Sequence, residues 1–358
     1  MTSPEKPAPG RLRRAPLLVA IFILFCGGTA RLIRAWIPMP SHFDLDEKLR
    51  YFTEHKDEFD LLFVGSSATF RNYVPRVVDA ELAAEGLEVT SFNFGVVGFR
   101  SFETDFMVKW ILAQHPARLR WMVIEPPTFD PPFEYESIQA EKTELAVHSH
   151  TPEETFLILR SVWLSKAPLG LRVSETIRHL KLLGLNLGNI GRAPAAVLQR
   201  LNYDPDWVPP AWLAEAHGFQ STEDRPGFTE PDPKDDPLRD HEAYSRKLLA
   251  VDRANRSPVS LETYNLTALR RQVEVLRAAG VEPIYGVSPI VFVAPEVLAR
   301  DQLGELPHLL PFHLPKSYPR LFAVEKRVDA SHLRGAGAVE FSQVLAPRLA
   351  EILKAGAP

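Results

Sequence analysis

Between Phe59 and Pro127 two kinds of apolar pattern alternate along the chain. "DLLFVG" (60–65) is a short unbroken apolar run closed by Gly65, which reads as a buried strand. "PRVVDAELAAEG" (75–86) has helical spacing, opened by Pro75 and closed by Gly86. "LEVTSFNFG" (87–95) predicts a second strand, "SFETDFMVKWILAQH" (101–115) a second helix capped by Ser101, and "RWMVIEPP" (120–127) a third strand stopped by Pro126. A β-α-β-α-β order implies a parallel sheet with helices on its faces, because parallel neighbours need a crossover. The pattern resumes with an amphipathic helix in "LETYNLTALRRQVEVLRAAG" (261–280), a fourth strand in "VEPIYGVSP" (281–289) and a last helix in "GAVEFSQVLAPRLAEILKAG" (337–356), with Pro347 as a candidate kink. "RLFAVEKRVD" (320–329) predicts a short edge strand.

Residues 128–259 break this rhythm. Helical stretches ("PEETFLILRSVWLSK", "GLRVSETIRHLKLLG") are followed by a tract rich in Pro and Asp from Tyr203 to Asp240, and the whole reads as an inserted lid or cap. At the other end, Arg11, Arg13 and Arg14 precede an apolar run from Ala15 to Ala30, with Arg31, Arg34 and Trp36 after it. The run falls just short of the ~18 residues of a spanning helix, but snorkelling arginines extend it. The expectation is a single-pass signal anchor in the inner (plasma) membrane, with the remainder extracytoplasmic or periplasmic. A cleaved secretory signal, cut just before Arg31, is the rival. The expected organisation is a cytoplasmic N-terminus (1–14), a transmembrane anchor (15–37), a linker (38–57), a first α/β part (58–127), the insertion (128–259) and a second α/β part (260–358).

Composition narrows the chemistry. The 358 residues are 45% hydrophobic and 24% charged, enough for a sizeable core. A net charge of -4 argues against a nucleic-acid partner. Cys26 is the only cysteine, which excludes an intramolecular disulfide and any CxxC site. No cofactor or metal is expected. In a parallel sheet, ligands bind beyond the carboxyl ends of the strands. Those ends carry Gly65-Ser66-Ser67, Asn93 through Gly98, Glu125-Pro126, Ser288-Pro289 and the "DASHLRGAG" turn (329–337), all on one edge.

"VGSSATF" (64–70), "FNFGVVGFRS" (92–101) and "VDASHLRGAGA" (328–338), in that order and each after a strand, resemble the blocks of the SGNH hydrolases, the GDSL-type esterases and acyltransferases. The resemblance covers roughly residues 58–127 and 260–355. It implies a three-layer α/β/α, flavodoxin-like parallel sheet. It also implies Ser67 as nucleophile, His332 as general base, Asp329 as the carboxylate orienting the imidazole, and the Ser67 and Gly98 N–H groups as oxyanion donors. The family's Gly-x-Asn-Asp block is absent, since the third strand ends "VIEPP" and an ionised Glu125 cannot donate. Asn93 or Asn72 is a candidate replacement donor.

The membrane-anchored layout is similar to that of extracytoplasmic members that acylate or deacylate envelope polymers. The resemblance therefore implies an esterase or O-acyltransferase acting on an acylated glycan or polymer, with a membrane-bound acyl donor protein as a candidate partner. A non-catalytic scaffold or glycan-binding protein of the same fold is the alternative. The α/β-hydrolase elbow is absent, Thr69 standing where its second glycine belongs.

The weaker signals default to structure. His148 and His150 lack a ligand set and read as loop histidines, and His308 and His313 have no assigned role. Asp130, Glu134 and Glu136 read as solvated, while Trp207 and Trp212 read as packing before any sugar-stacking wall.

Overall fold

Five parallel strands make one sheet: β1 Leu61–Gly65, β2 Ser91–Gly95, β3 Trp121–Ile124, β4 Glu282–Val287 and β5 Leu309–Pro311, ordered β2-β1-β3-β4-β5 in space. Gly65 pairs with Gly95, and Val64 with Ile124, so the carboxyl ends of β1, β2 and β3 finish within one residue of one another. The computed structural model describes residues 9–36, 43–127, 144–189, 206–225, 227–230, 238, 240–259, 261 and 266–355.

The helices, in chain order, are α1 Pro9–Trp36, α2 Phe43–His55, α3 Ser67–Asn72, α4 Pro75–Ala84, α5 Ser101–Ala113, α6 Glu144–Ser149, α7 Pro152–Leu164, α8 Leu169–Gly188, α9 Ala211–Ala214, α10 His241–Asn255, α11 Leu266–Ala278, α12 Pro295–Gln302 and α13 Gly335–Ala355. Strand residues alternate between two faces, as a period of two requires. Leu62, Val64, Phe92 and Ile124 meet Phe52 of α2, Met107 of α5 and Leu276 of α11. Leu61, Phe63, Val123 and Ile284 meet Val78 of α4 and Phe341 and Leu345 of α13.

Several expectations need correction. The stretch taken as a linker holds α2, whose Leu45, Leu49 and Phe52 are core residues at helical spacing. The last strand is not "RLFAVEKRVD" but Leu309–Pro311. Pro319 and the buried Arg327 instead shape 320–329 into two short 3-10 turns and a single bridge from Arg327 to Leu333. Ser101 is the first residue of α5 rather than its cap, a place taken by Arg100, whose N–H donates to Glu103 Oε2 (3.2 Å).

The insertion is structural as well. β2 is an edge strand, and an edge must satisfy or hide its outward N–H and C=O groups. Ser91 N–H donates to Asp79, Asn93 N–H to His217 O (2.8 Å), and Gly95 N–H to Asn93 Oδ1. His217 Nδ1 meets Ser91 O, while buried Lys48 Nζ donates to Asn93 O (2.8 Å) and Gly95 O (2.7 Å). Gly218 follows with φ +84°, and a Cβ there would come within 2.4 Å of Asn93 O, so only glycine lets the segment lie this close. Residues counted as lid thus close the sheet.

At the N-terminus one helix is long and apolar enough to cross a membrane, Pro16–Ala35, with mean hydropathy 2.1. Its far end touches the insertion. Arg34 donates to Asn186 O and Oδ1 of α8, Asn189 Nδ2 donates to Ala30 O, and Ala30 is buried.

Candidate active site

β1 ends at Gly65 and α3 starts two residues later, so the turn between them is tight. Ser66 is the N-cap, its Oγ accepting from Ala68 N–H (3.2 Å). That duty leaves Ser67, at the first helical position, with its hydroxyl directed elsewhere. A Cβ on Gly65 would meet Thr69 Oγ1 at 2.2 Å and Glu125 Oε2 at 2.7 Å, which explains the glycine before the serines.

Ser67 Oγ lies 2.9 Å from His332 Nε2, and His332 Nδ1 lies 2.8 Å from Asp329 Oδ2. Asp329 Oδ1 accepts the Ser331 and His332 N–H groups at 2.7 and 2.9 Å. Burial pushes the Asp329 carboxyl up, but the hydrogen bond and charge of His332 and the two N–H donors outweigh it and bring it down to about 2. Ionised, Asp329 can only accept, so the imidazole proton sits on Nδ1 and Nε2 is left to accept from Ser67.

Two buried side chains hold this loop. Asn72, at the end of α3, donates to Ser331 O (3.0 Å) and Ser288 Oγ (3.2 Å) and accepts from Leu333 N–H (2.9 Å). Arg327 donates to the carbonyls of Asp329, Ala330, Pro289 and Leu321, tying the turn after β4 to the loop bearing His332. Beside Ser67 opens a cavity of about 220 Å³. Its lining is mostly apolar, with Val287, Ile290, Phe292, Val293 and Val297, and its polar members besides Ser67 are Ser66, Glu125, Glu296 and Ser331. Asn255 of α10 holds the lining segment that contains Phe292 and Ala294, donating to Phe292 O (2.8 Å) and accepting from Ala294 N–H (2.6 Å).

Comparison with models of protein families, with curated proteins and with solved structures finds no match to this chain.

The structure therefore brings Ser67, His332 and Asp329 into one hydrogen-bonded line and leaves the other named residues out of it. Asn93 is no spare donor: its Nδ2 is spent on the carbonyls of Thr69 (2.9 Å), Phe70 (3.3 Å) and Tyr73 (2.8 Å), closing the end of α3. Asn72 is committed to the loop in the same way. Gly98 has φ +83° in a turn closed by Phe99 N–H to Val96 O (3.3 Å), a turn position that favours glycine. It is exposed and does not line the cavity. Glu125 Oε2 accepts the Ser66 N–H (2.7 Å), so an acceptor stands at the end of the third strand.

His148 and His150 are not loop histidines but buried at the end of α6, with His150 Nε2 2.9 Å from His179 Nδ1. Among the described residues no group of three His, Cys, Asp or Glu is placed to hold a metal. Trp212 packs on Phe70, and Trp207 under Arg50, so both serve packing. Asp130, Glu134 and Glu136 lie outside the described residues. Sequence reasoning missed Lys48, Asn255 and Arg327. Each sits among other polar residues, and nothing in the local pattern marks it as buried.

Proposed function

We propose that this chain is a membrane-tethered, extracytoplasmic serine esterase or O-acyltransferase of the SGNH type, acting on acyl esters of a glycan or other envelope polymer through an acyl-Ser67 intermediate. The observation that carries the proposal is the Ser67–His332–Asp329 line at 2.9 and 2.8 Å. A serine hydroxyl is a weak nucleophile until a base takes its proton, and a carboxylate behind the imidazole fixes the useful tautomer. Ser67 Oγ attacks the ester carbonyl carbon as its proton passes to His332 Nε2. The tetrahedral intermediate then collapses, and His332 returns the proton to the departing alcohol oxygen. In the second half an incoming water or sugar hydroxyl gives its proton to His332, attacks the acyl carbon, and the proton passes back to Ser67 Oγ.

The apolar part of the cavity lining suits the acyl group, and Glu125 in the same lining suits the hydroxyl-bearing partner. The Ser67 N–H, with no carbonyl partner inside α3, is the oxyanion donor assigned here. The strand order β2-β1-β3-β4-β5 is that of flavodoxin-like sheets, which supports the fold type. Contacts of Ala30 and Arg34 with α8 favour a retained anchor over a cleaved signal, because cleavage before Arg31 would remove one of them.

The test is a fluorophosphonate probe on purified wild type and Ser67→Ala. Labelling should vanish in the variant. Equal labelling of both overturns the assignment, and no labelling of either favours the non-catalytic scaffold, a reading that the acceptor at Glu125 in place of a donor would suit.

A further inference from the structure

We propose that the hairpin formed by α7 and α8 lies on the lipid surface, with its exposed apolar face seated at the headgroup–acyl boundary of an anionic bilayer. The proposal rests on reading α1 as a retained anchor. Its warrant is that α8 is folded inside out. Leu169, Val173, Ile177, Leu180 and Leu187 follow one another at steps of four, four, three and seven, so at 3.6 residues per turn they share one narrow face. That face is the exposed one: Leu169 is 61% exposed, Ile177 64% and Leu187 54%. Of the four buried residues of α8, three are polar, Glu175, His179 and Asn186, and one is apolar, Leu182. A helix in water has the reverse order, because burying polar groups while wetting leucines forgoes the main driving force of folding.

Three further observations choose lipid as the occupant. α7 adds Phe156 (62% exposed), Trp163 (46%) and Leu164 (50%), enlarging the apolar surface and placing an indole, the side chain favoured at headgroup depth, within it. The hairpin from Pro152 to Gly188 carries Arg160, Lys166, Arg172, Arg178 and Lys181 against three acids, each of them paired: Glu153 and Glu154 with Lys109, and the buried Glu175 with Arg178. Basic residues around an apolar face are what anionic lipid attracts. Lastly, the hairpin adjoins α1: Arg34 and Ala30 bond to Asn186 and Asn189, next to Leu187 at the end of the exposed face. If α1 is in a bilayer, this end of α8 is at its surface.

The hairpin is fixed to the core as well. Lys109 of α5 pairs with Glu153 (3.2 Å) and Glu154 (2.5 Å) at the start of α7. Seating the hairpin would therefore set the orientation of the sheet, and of its carboxyl edge, to the membrane.

The test uses the full chain reconstituted in mixed phosphatidylcholine–phosphatidylglycerol vesicles, carrying one environment-sensitive fluorophore. The label sits on native Cys26, or on Ile177→Cys or Val208→Cys in a Cys26→Ala background. The quenchers are lipids brominated high in their acyl chains and, from the aqueous side, iodide. Labels at Cys26 and position 177 should both lose fluorescence to brominated lipid, while position 208, 80% exposed on another segment, should lose it only to iodide. Quenching at Cys26 but exposure of position 177 to iodide overturns the hairpin proposal and leaves the anchor standing. A label at 177 shielded from both quenchers means a second copy of the chain covers the face, and also overturns it. No lipid quenching at Cys26 overturns the anchor and the proposal resting on it. None of these outcomes touches Ser67, whose probe reaction is scored separately.

Discussion

Helices α8 and α13 are nearly the same length, 20 and 21 residues, and both carry an apolar stripe at helical spacing. α13 turns Phe341, Leu345, Leu349 and Leu353 into the core under the sheet. α8 turns Leu169, Ile177 and Leu187 outward and keeps Glu175, His179 and Asn186 inside. The same period thus serves opposite ends. An amphipathic pattern states that a helix has two faces; which of them meets the protein depends on the solvent on the other side. α13 begins three residues after His332 and belongs to the half of the molecule that holds the site, whereas α8 belongs to the half that reaches α1.

The largest expected effect separates those halves functionally. His332→Gln should cost about 10⁴-fold in ester turnover, the scale of losing a member of a serine triad. It should leave lipid quenching of a label at position 177 unchanged. Turnover within tenfold of wild type would break the division at its catalytic end.

Next comes stability. Phe341→Ala removes a fully buried ring between the sheet and α13 and should cost about 3–5 kcal/mol in detergent solution, read from denaturant midpoints. Ile177→Ser on α8 should change the same midpoint by about 0.5 kcal/mol or less, as for a surface position. If Ile177→Ser costs as much as Phe341→Ala, the two stripes play the same part and the contrast fails.

The smallest effect concerns the interiors, where both halves bury a histidine. Burial and the charge of Arg256 push His313 down to about 4, against the lifting effect of Asp252. Burial, then His150 and Arg178, push His179 down to about 3. A histidine whose folded pKa lies below its unfolded value stabilises the fold fully above 6.5, and that contribution is lost as pH falls from 6.5 through 4. For His313 the loss is about 3 kcal/mol in all. His313→Leu should flatten stability across that window. An unchanged slope would mean the ring is already protonated in the fold.

Much of the α/β frame was legible, and for a physical reason. β1, β2 and β3 are fully buried; the apolar runs of β1 and β3 are unbroken, β2 alternates Phe92 and Phe94 with Ser91 and Asn93, and Gly65 and Gly95 mark the ends of β1 and β2. The serine block was legible because it sits in the turn leaving β1; the histidine block follows 3-10 turns instead of a strand and was legible only through its resemblance to a family motif. Illegible parts share one trait: their burial is decided by partners far along the chain. Lys48 looks like a surface lysine until the carbonyls of Asn93 and Gly95 are set before it. Arg327 looks like one more charge in "VEKRVD" until four carbonyls surround it. Asn93 invited a role at the site because its strand ends there, yet its amide was needed to finish α3. β5 has three residues, too few to leave a pattern.

One consequence follows from how little chain joins α1 to α2. α1 ends at Trp36 and α2 starts at Phe43, so the joining segment spans roughly 25 Å even at full stretch. With α1 held in a bilayer, the sheet is on a short leash. On the proposed function, an enzyme so held would not patrol the envelope in three dimensions. It would work in a thin shell over the membrane, where the local concentration of its acylated polymer, rather than the average in the compartment, sets its rate.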